Sequence, residues 1–157
     1  MTASTKPEIA PGTAARKAWL GTLAKAPAAR LAALVHAMGP RPATEDLRAP
    51  EIGGVMVRGR AGGTGAPFNL GEMTVTRCSL KLSHGGTVGH GYVQGRDKEK
   101  ARNAALVDAM MQTAAAPDWE TGVIAPLRAE AEAARAATAA KAAATKVDFF
   151  TLVRGED

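Results

Sequence analysis

The chain has one cysteine, few aromatic residues and no long apolar run, and each shortage excludes a class of protein. Because Cys78 stands alone among 157 residues, no disulfide can form within the chain, which fits a reducing compartment. No apolar run approaches the length of a bilayer span, so we do not expect a membrane protein. Residues 1–20 lack the apolar core of a secretory signal, and we therefore expect a cytoplasmic protein.

Basic residues outnumber acidic ones, and the composition is otherwise typical of a globular protein. Aromatic residues make up 4% of the chain, which weighs against the base stacking that single-stranded nucleic acid requires. A net charge of +5 favours an anionic partner, such as nucleic acid, a nucleotide, a phosphorylated metabolite or an acidic protein. The length and the hydrophobic content of 46% are typical of one globular domain. We expect a flexible segment over residues 1–12 and a single domain over residues 13–157.

The periodicity of apolar residues predicts an α+β fold with N-terminal helices and a small antiparallel sheet. Helical spacing over residues 13–38, divided at Pro27, predicts two helices that meet at an angle. Residues 55–60, 69–82 and 87–95 read as three strands joined in a meander. In the first two strands we expect the apolar side chains to face inward and the basic ones outward.

The C-terminal part predicts more helices and a final short strand. Asp97 is a suitable N-cap for a helix over residues 98–113, and Asp118 is the expected start of another helix. We expect the second helix to be broken near Gly122 and Pro126. The side chains of the first helix that are predicted to face the sheet are Ala104, Val107 and Met111.

The last part of the chain changes abruptly from alanine-rich to apolar. Residues 127–146 form helix readily, yet after Leu127 they offer almost nothing larger than alanine to bury. This helix therefore either stands in solvent or is covered by a partner. Residues 147–157 are β-branched and apolar at their start, and they predict a short strand that pairs with the sheet or with a neighbour.

A glycine-rich stretch, RGRAGGTGAPFNLGEM at residues 58–73, is the strongest candidate site. A phosphate-binding loop of the Walker type needs a lysine and a following helix, and a dinucleotide fingerprint needs the same helix; both features are absent here. Two compatible interpretations remain. The glycines supply positive φ angles for a hairpin connection, or the loop presents an anion nest beside arginines. The candidate anion-binding or partner-interface residues are Arg58, Arg60, Gly62, Gly63, Thr64, Gly65, Glu72 and Arg77.

The other reactive side chains do not form a convincing site in the sequence. His84 and His90 lack a third ligand at zinc spacing, so we predict no metal site. Cys78 and His90 are a conceivable nucleophile and base, although strand alternation favours a buried structural thiol. Glu72 is a conceivable acid or base, but pairing with an arginine would keep it ionised. We assign no catalytic residue.

Four segments of this sequence resemble the G-subunit family of the bacterial carbon–phosphorus lyase system. The segments are VMVRGRAGGTGAPFNLGEMTVTRCSLKL, GHGYVQGRD, KARNAALVDAMMQ and TKVDFFTLVRGED. The resemblance runs over residues 19–157 and is most specific over residues 55–97.

The resemblance implies an accessory subunit of α-D-ribose 1-methylphosphonate 5-triphosphate synthase. In that family the G, H, I and L subunits together displace adenine from ATP with an alkylphosphonate, and the G, H, I and J subunits form a stable core. The I subunit is regarded as carrying the chemistry. The resemblance therefore implies a hetero-oligomer that is inactive as a single chain, with ATP and Mg²⁺ as substrate of the complex and no cofactor held by this chain.

Two other functions remain open at this point. The positive charge also suits an independent nucleotide- or nucleic-acid-binding module, although the resemblance implies no nucleic acid partner and no membrane. Cys78 and His90 would suit an enzyme that acts alone. Within the accessory role, Arg58, Arg60 and Arg77 either stabilise anionic charge in a neighbour's site or anchor a protein interface.

Overall fold

The computed structural model describes residues 11–145, and these form an α+β fold with helices against one face of a three-stranded antiparallel sheet. The predicted fold class is confirmed. A 3₁₀ turn, Ala61–Gly63, joins the first two strands, and a π-helical turn, Glu120–Ile124, joins the last two helices. The main elements are α1 Pro11–Lys25, α2 Ala28–Ala37, β1 Thr44–Arg60, β2 Pro67–Leu82, β3 Val88–Gln94, α3 Lys98–Met110, α4 Ala116–Trp119 and α5 Ala125–Ala144.

The two N-terminal helices form as predicted and separate at Pro27. Pro27 has an extended backbone with ψ of 133°, so the helical hydrogen bonds cannot run through it, and α2 begins one residue later. Residues 11 and 12, which we had placed in the N-terminal segment, begin α1. Proline is favoured there because the first helical residues have no intrahelical acceptor for their N–H groups.

The sheet is the predicted meander, but its first strand is much longer than expected. β1 pairs with β2 from Thr44 opposite Leu82 to Arg60 opposite Pro67, whereas β3 covers only residues 75–81 of β2. The sequence pattern concealed the start of β1 because irregular register interrupts the alternation there. Pro50, which has no N–H for the ladder, lies within one of these irregularities.

Helix α3 begins at the predicted cap. The Asp97 side chain accepts a hydrogen bond from the Lys100 backbone N–H at 2.8 Å, which satisfies one of the free donors of the first turn. The helix runs over Lys98–Met110, three residues shorter than predicted.

The contact between α3 and the sheet depends on small residues. A Cβ added at Gly89 would lie 2.0 Å from the Ala105 carbonyl oxygen, and one at Gly91 would lie 2.0 Å from the Ala101 carbonyl oxygen. The helix backbone therefore rests directly on β3. The backbone carbonyls of Ala101 and Ala105 thus lie against β3, and α1 and α2 also contact α3. Of the residues predicted to face the sheet, Ala104 and Val107 are buried in the core and Met111 is partly buried against it.

A buried carboxylate joins α1, α3 and β3. Asp108 is fully buried and accepts hydrogen bonds from Arg16 Nη2 at 2.7 Å and from Trp19 Nε1 at 2.9 Å. It also accepts one from the His90 backbone N–H at 2.8 Å. Because a buried charge is costly unless it is paired and hydrogen-bonded, this arrangement fixes the positions of three elements relative to one another.

The chain continues from α4 into α5 without the break that we predicted at Gly122 and Pro126, and α4 begins before Asp118. The Ala125 N–H bonds to the Glu120 carbonyl five residues back, as in a π-helix. Pro126 has no N–H to bond to the carbonyl of Gly122, so the wider turn absorbs the proline without ending the helix.

Helix α5 leaves the rest of the fold after Leu127. Leu127 is buried, but all residues from 128 to 145 are exposed within the chain, which confirms that this helix has little to bury. The predicted strand over residues 147–157 lies outside the described residues. None of the helices in residues 11–145 is long and apolar enough to cross a membrane.

Candidate partner interface

The distal half of the β1–β2 hairpin projects past the rest of the sheet. We call residues 52–60 and 67–74 the arm. β3 ends opposite Val75, so within residues 11–145 the arm is a two-stranded ribbon. Nine residues of β1 correspond to about 30 Å of extended chain. A two-stranded ribbon of this length buries little of its own surface and is marginally stable by itself in water.

The glycine-rich turn at the tip of the arm confirms part of the hairpin interpretation. Gly62 and Gly63 have φ angles of +59° and +79°, which other residues rarely adopt. Gly65 was predicted to have a positive φ, and this is wrong. Glycine is required at position 65 because there is no room for a side chain: an added Cβ would lie 2.8 Å from the Ala61 carbonyl oxygen.

The turn uses its own amides, which weakens the case for an anion nest. The backbone N–H groups of Thr64 and Gly65 both bond to the Ala61 carbonyl oxygen. Arg60 Nη1 donates to the Gly65 carbonyl oxygen at 2.9 Å and so braces the turn from the side. A shallow depression of about 530 Å³ remains, lined by Arg58, Gly59, Arg60, Gly63 and Pro67.

The structure separates Arg77 from the two arginines at the tip. Arg77 lies opposite Glu51 on β1, seven residues before Arg58, which corresponds to about 23 Å along the strand. Arg48 Nη1 and Arg77 Nε both donate to Glu51 Oε1, and these hydrogen bonds lower the pKa of the Glu51 carboxyl. Arg58 and Arg60 therefore form the basic tip, and Arg77 belongs to a separate ion-pair cluster.

Glu72 does not pair with the tip arginines as we had considered. It lies opposite Met56 in the register, and its carboxylate extends across Gly54. A Cβ added at Gly54 would lie only 1.7 Å from Glu72 Oε1, so the Glu72 carboxylate occupies the space that a side chain at position 54 would fill. Within residues 11–145, Glu72 forms no ion pair, and it remains an exposed carboxylate on the side of the arm.

The Cys78 and His90 side chains lie on opposite faces of the sheet. Cys78 is buried under α3, and burial, followed by the negative charge of Asp46, raises the pKa of its thiol. His90 lies on the other face, where its Nδ1 is 2.9 Å from the Ser79 hydroxyl oxygen. The nucleophile–base pair that we had considered from the sequence is therefore contradicted.

The two histidines considered for zinc are also apart in the fold. His84 lies in the turn between β2 and β3, and His90 lies within β3. No group of three or more His, Cys, Asp or Glu side chains that could hold a metal ion occurs in the part of the chain that the structure describes.

Large apolar side chains are exposed on the arm, and their exposure was not predicted from the sequence. Leu70 is 65% exposed and Phe68 45% exposed, and a Cβ at Gly59 would contact both, so these three residues share one face. Met56 and Ile52 are also exposed. We had interpreted the chain from residue 69 onward as strand-like with inward apolar side chains, so the exposure of Leu70 was not predicted. Strand alternation places Phe68 and Leu70 on one face, but it carries no signal that this face is uncovered.

Comparison with known proteins now places the chain in a family. The family described as phosphonate metabolism protein PhnG matches residues 14–155, which include the arm and its tip. A protein of Rhizobium meliloti (strain 1021) is 44% identical over 146 residues, covering 93% of this chain and 93% of that protein. That relative is named alpha-D-ribose 1-methylphosphonate 5-triphosphate synthase subunit PhnG. The chain therefore belongs to the PhnG family of phosphonate metabolism proteins.

Proposed function

We propose that this chain is an accessory subunit of a cytoplasmic synthase complex that makes ribose 1-alkylphosphonate 5-triphosphate in phosphonate degradation. The observation that carries the proposal is the 44% identity, over 93% of both chains, to a protein named as a subunit of such a synthase. In the reaction an alkylphosphonate displaces adenine from ATP. ATP and Mg²⁺ are then substrate of the assembly, and the partners are subunits of the H, I, J and L types.

The arm is the part of the chain best suited to join such an assembly. It exposes Leu70 and Phe68 on one face and Met56 beyond them, whereas monomeric proteins rarely expose large apolar side chains in a contiguous patch. The tip adds Arg58 and Arg60 to this apolar surface. Buried apolar anchors combined with arginine are the usual centre of a protein interface.

The basic tip also fits the electrostatics of the reaction. A site that holds a triphosphate and a phosphonate together concentrates negative charge, and guanidinium groups reduce that cost. Arg58 has no carboxylate partner within residues 11–145, so its charge is available to a neighbour. We assign these arginines to the edge of a partner's site, either as anchors or as charge donors.

The positions of the Cys78 and His90 side chains support an accessory role for this subunit. The thiol of Cys78 is buried with a raised pKa, and the base that the sequence suggested, His90, projects from the opposite face of the sheet. A nucleophile and its base need to lie within hydrogen-bonding distance of each other. Cys78 and His90 cannot do so, because their side chains are on opposite faces of the sheet.

Arginine substitutions at the tip test the proposal. The double variant Arg58→Ala/Arg60→Ala and a control, Arg41→Ala/Arg102→Ala, are each co-expressed with the partner subunits. The control removes the same charge from body arginines that pair with Glu99 and Asp46. We expect the tip variant to reduce subunit retention or adenine release by about tenfold, since interface arginines are frequent hot spots. Unchanged retention and unchanged adenine release in the tip variant would refute the assigned role.

The net charge of +5 supports one alternative, an independent nucleotide- or nucleic-acid-binding module. Titration of the isolated chain with ATP and with RNA at several salt concentrations separates the two functions. Binding to phosphates weakens steeply with salt, so tight, salt-dependent binding by the single chain would favour the module. Absence of binding, together with assembly with partner subunits, favours the accessory role.

A further inference from the structure

A second surface, separate from the arm, lies between α1 and α5. These helices border a groove of about 790 Å³. Its floor is built from residues with small or no side chains, which recur at helical spacing on both helices. At one end Ala26 and Leu127 are buried, so the groove continues from the hydrophobic core to the exposed part of α5. The floor residues are Ala14, Ala18 and Gly21 on α1 and Ala131 and Ala134 on α5.

The rim of the groove is basic. Two of its charged residues are neutralised locally, since Arg128 pairs with Glu120 and Glu130 pairs with Arg30. The cations that remain along the rim have no carboxylate within 4.0 Å among the described residues. An occupant that places acidic side chains along this rim gains complementary charge. These three cations are Lys17, Lys25 and Arg135.

The floor determines the secondary structure of the occupant. It consists mostly of alanine side chains on helices whose backbone groups are already bonded within the helices. An extended peptide laid on such a surface would bury N–H and C=O groups without partners, which is unfavourable. A helix brings its own backbone hydrogen bonds, and small residues beneath it allow a close approach. A third helix would also cover part of α5, which is exposed from residue 128 onward.

We propose that the groove between α1 and α5 binds an amphipathic helix of a partner subunit, with apolar residues on one face and Asp or Glu along its flanks. The inference rests on the proposed function, because it takes the partner from the same synthase complex. It is independent of the arm, since none of the arm residues line the groove.

Filling the groove provides the first test. The variants Ala18→Trp and Ala131→Trp place a large ring on the floor, and Ala136→Trp is the matched control, because residue 136 lies on the far side of α5. All three positions are exposed, so the chain is expected to fold in each case, and thermal unfolding of the purified variants checks this. In co-expression with partner subunits, we expect the two groove variants to lower partner retention about tenfold and the control to leave it unchanged.

Charge reversal provides the second test. The triple variant Lys17→Glu/Lys25→Glu/Arg135→Glu reverses the rim, and Lys141→Glu reverses a cation on α5 that does not line the groove. We expect the triple variant to lose the partner and the control to keep it. Loss in the tryptophan variants without loss in the triple variant would overturn the proposal, because the occupant would not be acidic.

A photo-crosslinking residue at position 18 identifies the occupant in the assembled complex. We expect crosslinks to an acidic peptide of another subunit that has apolar residues at helical spacing. Crosslinks to a second copy of this chain, or to its own residues 146–157, would overturn the proposal. If the unmodified chain fails to co-purify with any partner, the proposed function fails and this inference fails with it. If it co-purifies and the groove variants retain as much partner, only the inference fails.

Discussion

The two halves of strand β2 have similar apolar content and opposite surroundings. In the half next to α3, Cys78 and Leu80 are 1% exposed and Leu82 is 5% exposed. In the arm, Leu70 is 65% exposed and Phe68 is 45% exposed. The difference arises from the helical layer, which among residues 11–145 covers one half and not the other. Strand alternation therefore tells which side chains share a face, but it does not tell what covers that face.

This comparison indicates that the body of the fold provides its stability and that the arm provides its contacts with partners. The body of the fold, in which α1 and α3 pack on β3, has a buried carboxylate and a close backbone contact that fix its geometry. The arm has exposed apolar residues and a basic tip, and no helix of the described part of the chain covers it. We expect substitutions in the body to change unfolding and substitutions in the arm to change assembly.

The largest expected effect on stability is at Asp108. Replacing it by alanine leaves Arg16, Trp19 and the His90 N–H without their shared acceptor. Removing one member of a buried charged pair costs about 3 to 5 kcal/mol, and we expect a loss of that size in denaturant unfolding. The control Glu132→Ala, at an exposed position on α5, is expected to change stability by less than about 0.5 kcal/mol. Equal effects at the two positions would contradict the assigned role of Asp108.

Next in size is the glycine contact between α3 and β3. Gly91→Ala places a Cβ 2.0 Å from a backbone oxygen, so helix and strand must move apart, and we expect a loss of about 3 kcal/mol. Gly71→Ala in the arm is the matched control, because nothing lies within 4 Å of its added Cβ. We expect its unfolding free energy to stay within about 1 kcal/mol of the unmodified value. If Gly91→Ala is tolerated equally well, helix and strand are not in backbone contact.

The smallest expected effect on stability belongs to the apolar residues of the arm. For Phe68→Ser/Leu70→Ser we expect a change of less than about 1 kcal/mol in the isolated chain, because both side chains are largely exposed before substitution. Partner retention in co-expression is expected to fall about tenfold. If the variant strongly destabilises the single chain but assembles normally, the arm residues serve stability and not assembly, which would contradict the comparison.

Much of the fold follows from the sequence because local chemistry decides it. Pro27 divides the first two helices, Asp97 caps α3, and the meander has the predicted order. The predictions that were wrong relied on a local sequence signal that the tertiary structure overrides or that an irregularity interrupts. Pro126 is absorbed by a π-helical turn, and register irregularities concealed the true length of β1.

The candidate site was less predictable than the fold. The sequence identified Arg58, Arg60 and the glycine turn, but it placed Arg77 with them, although the register separates it by seven residues. Positions along a hairpin depend on pairing over a long range, which a local pattern does not contain. The groove between α1 and α5 was also invisible, because it depends on the packing of helices about 110 residues apart in the chain.

Hydrogen exchange of the chain alone and of the assembled complex tests the separation of arm and body most directly. Amides in β3 and α3 are expected to be protected in both states, since the body is stable without a partner. Amides in residues 52–60 and 67–74 are expected to exchange rapidly in the single chain and to become protected on assembly. Arm amides that exchange equally fast in both states would contradict the account.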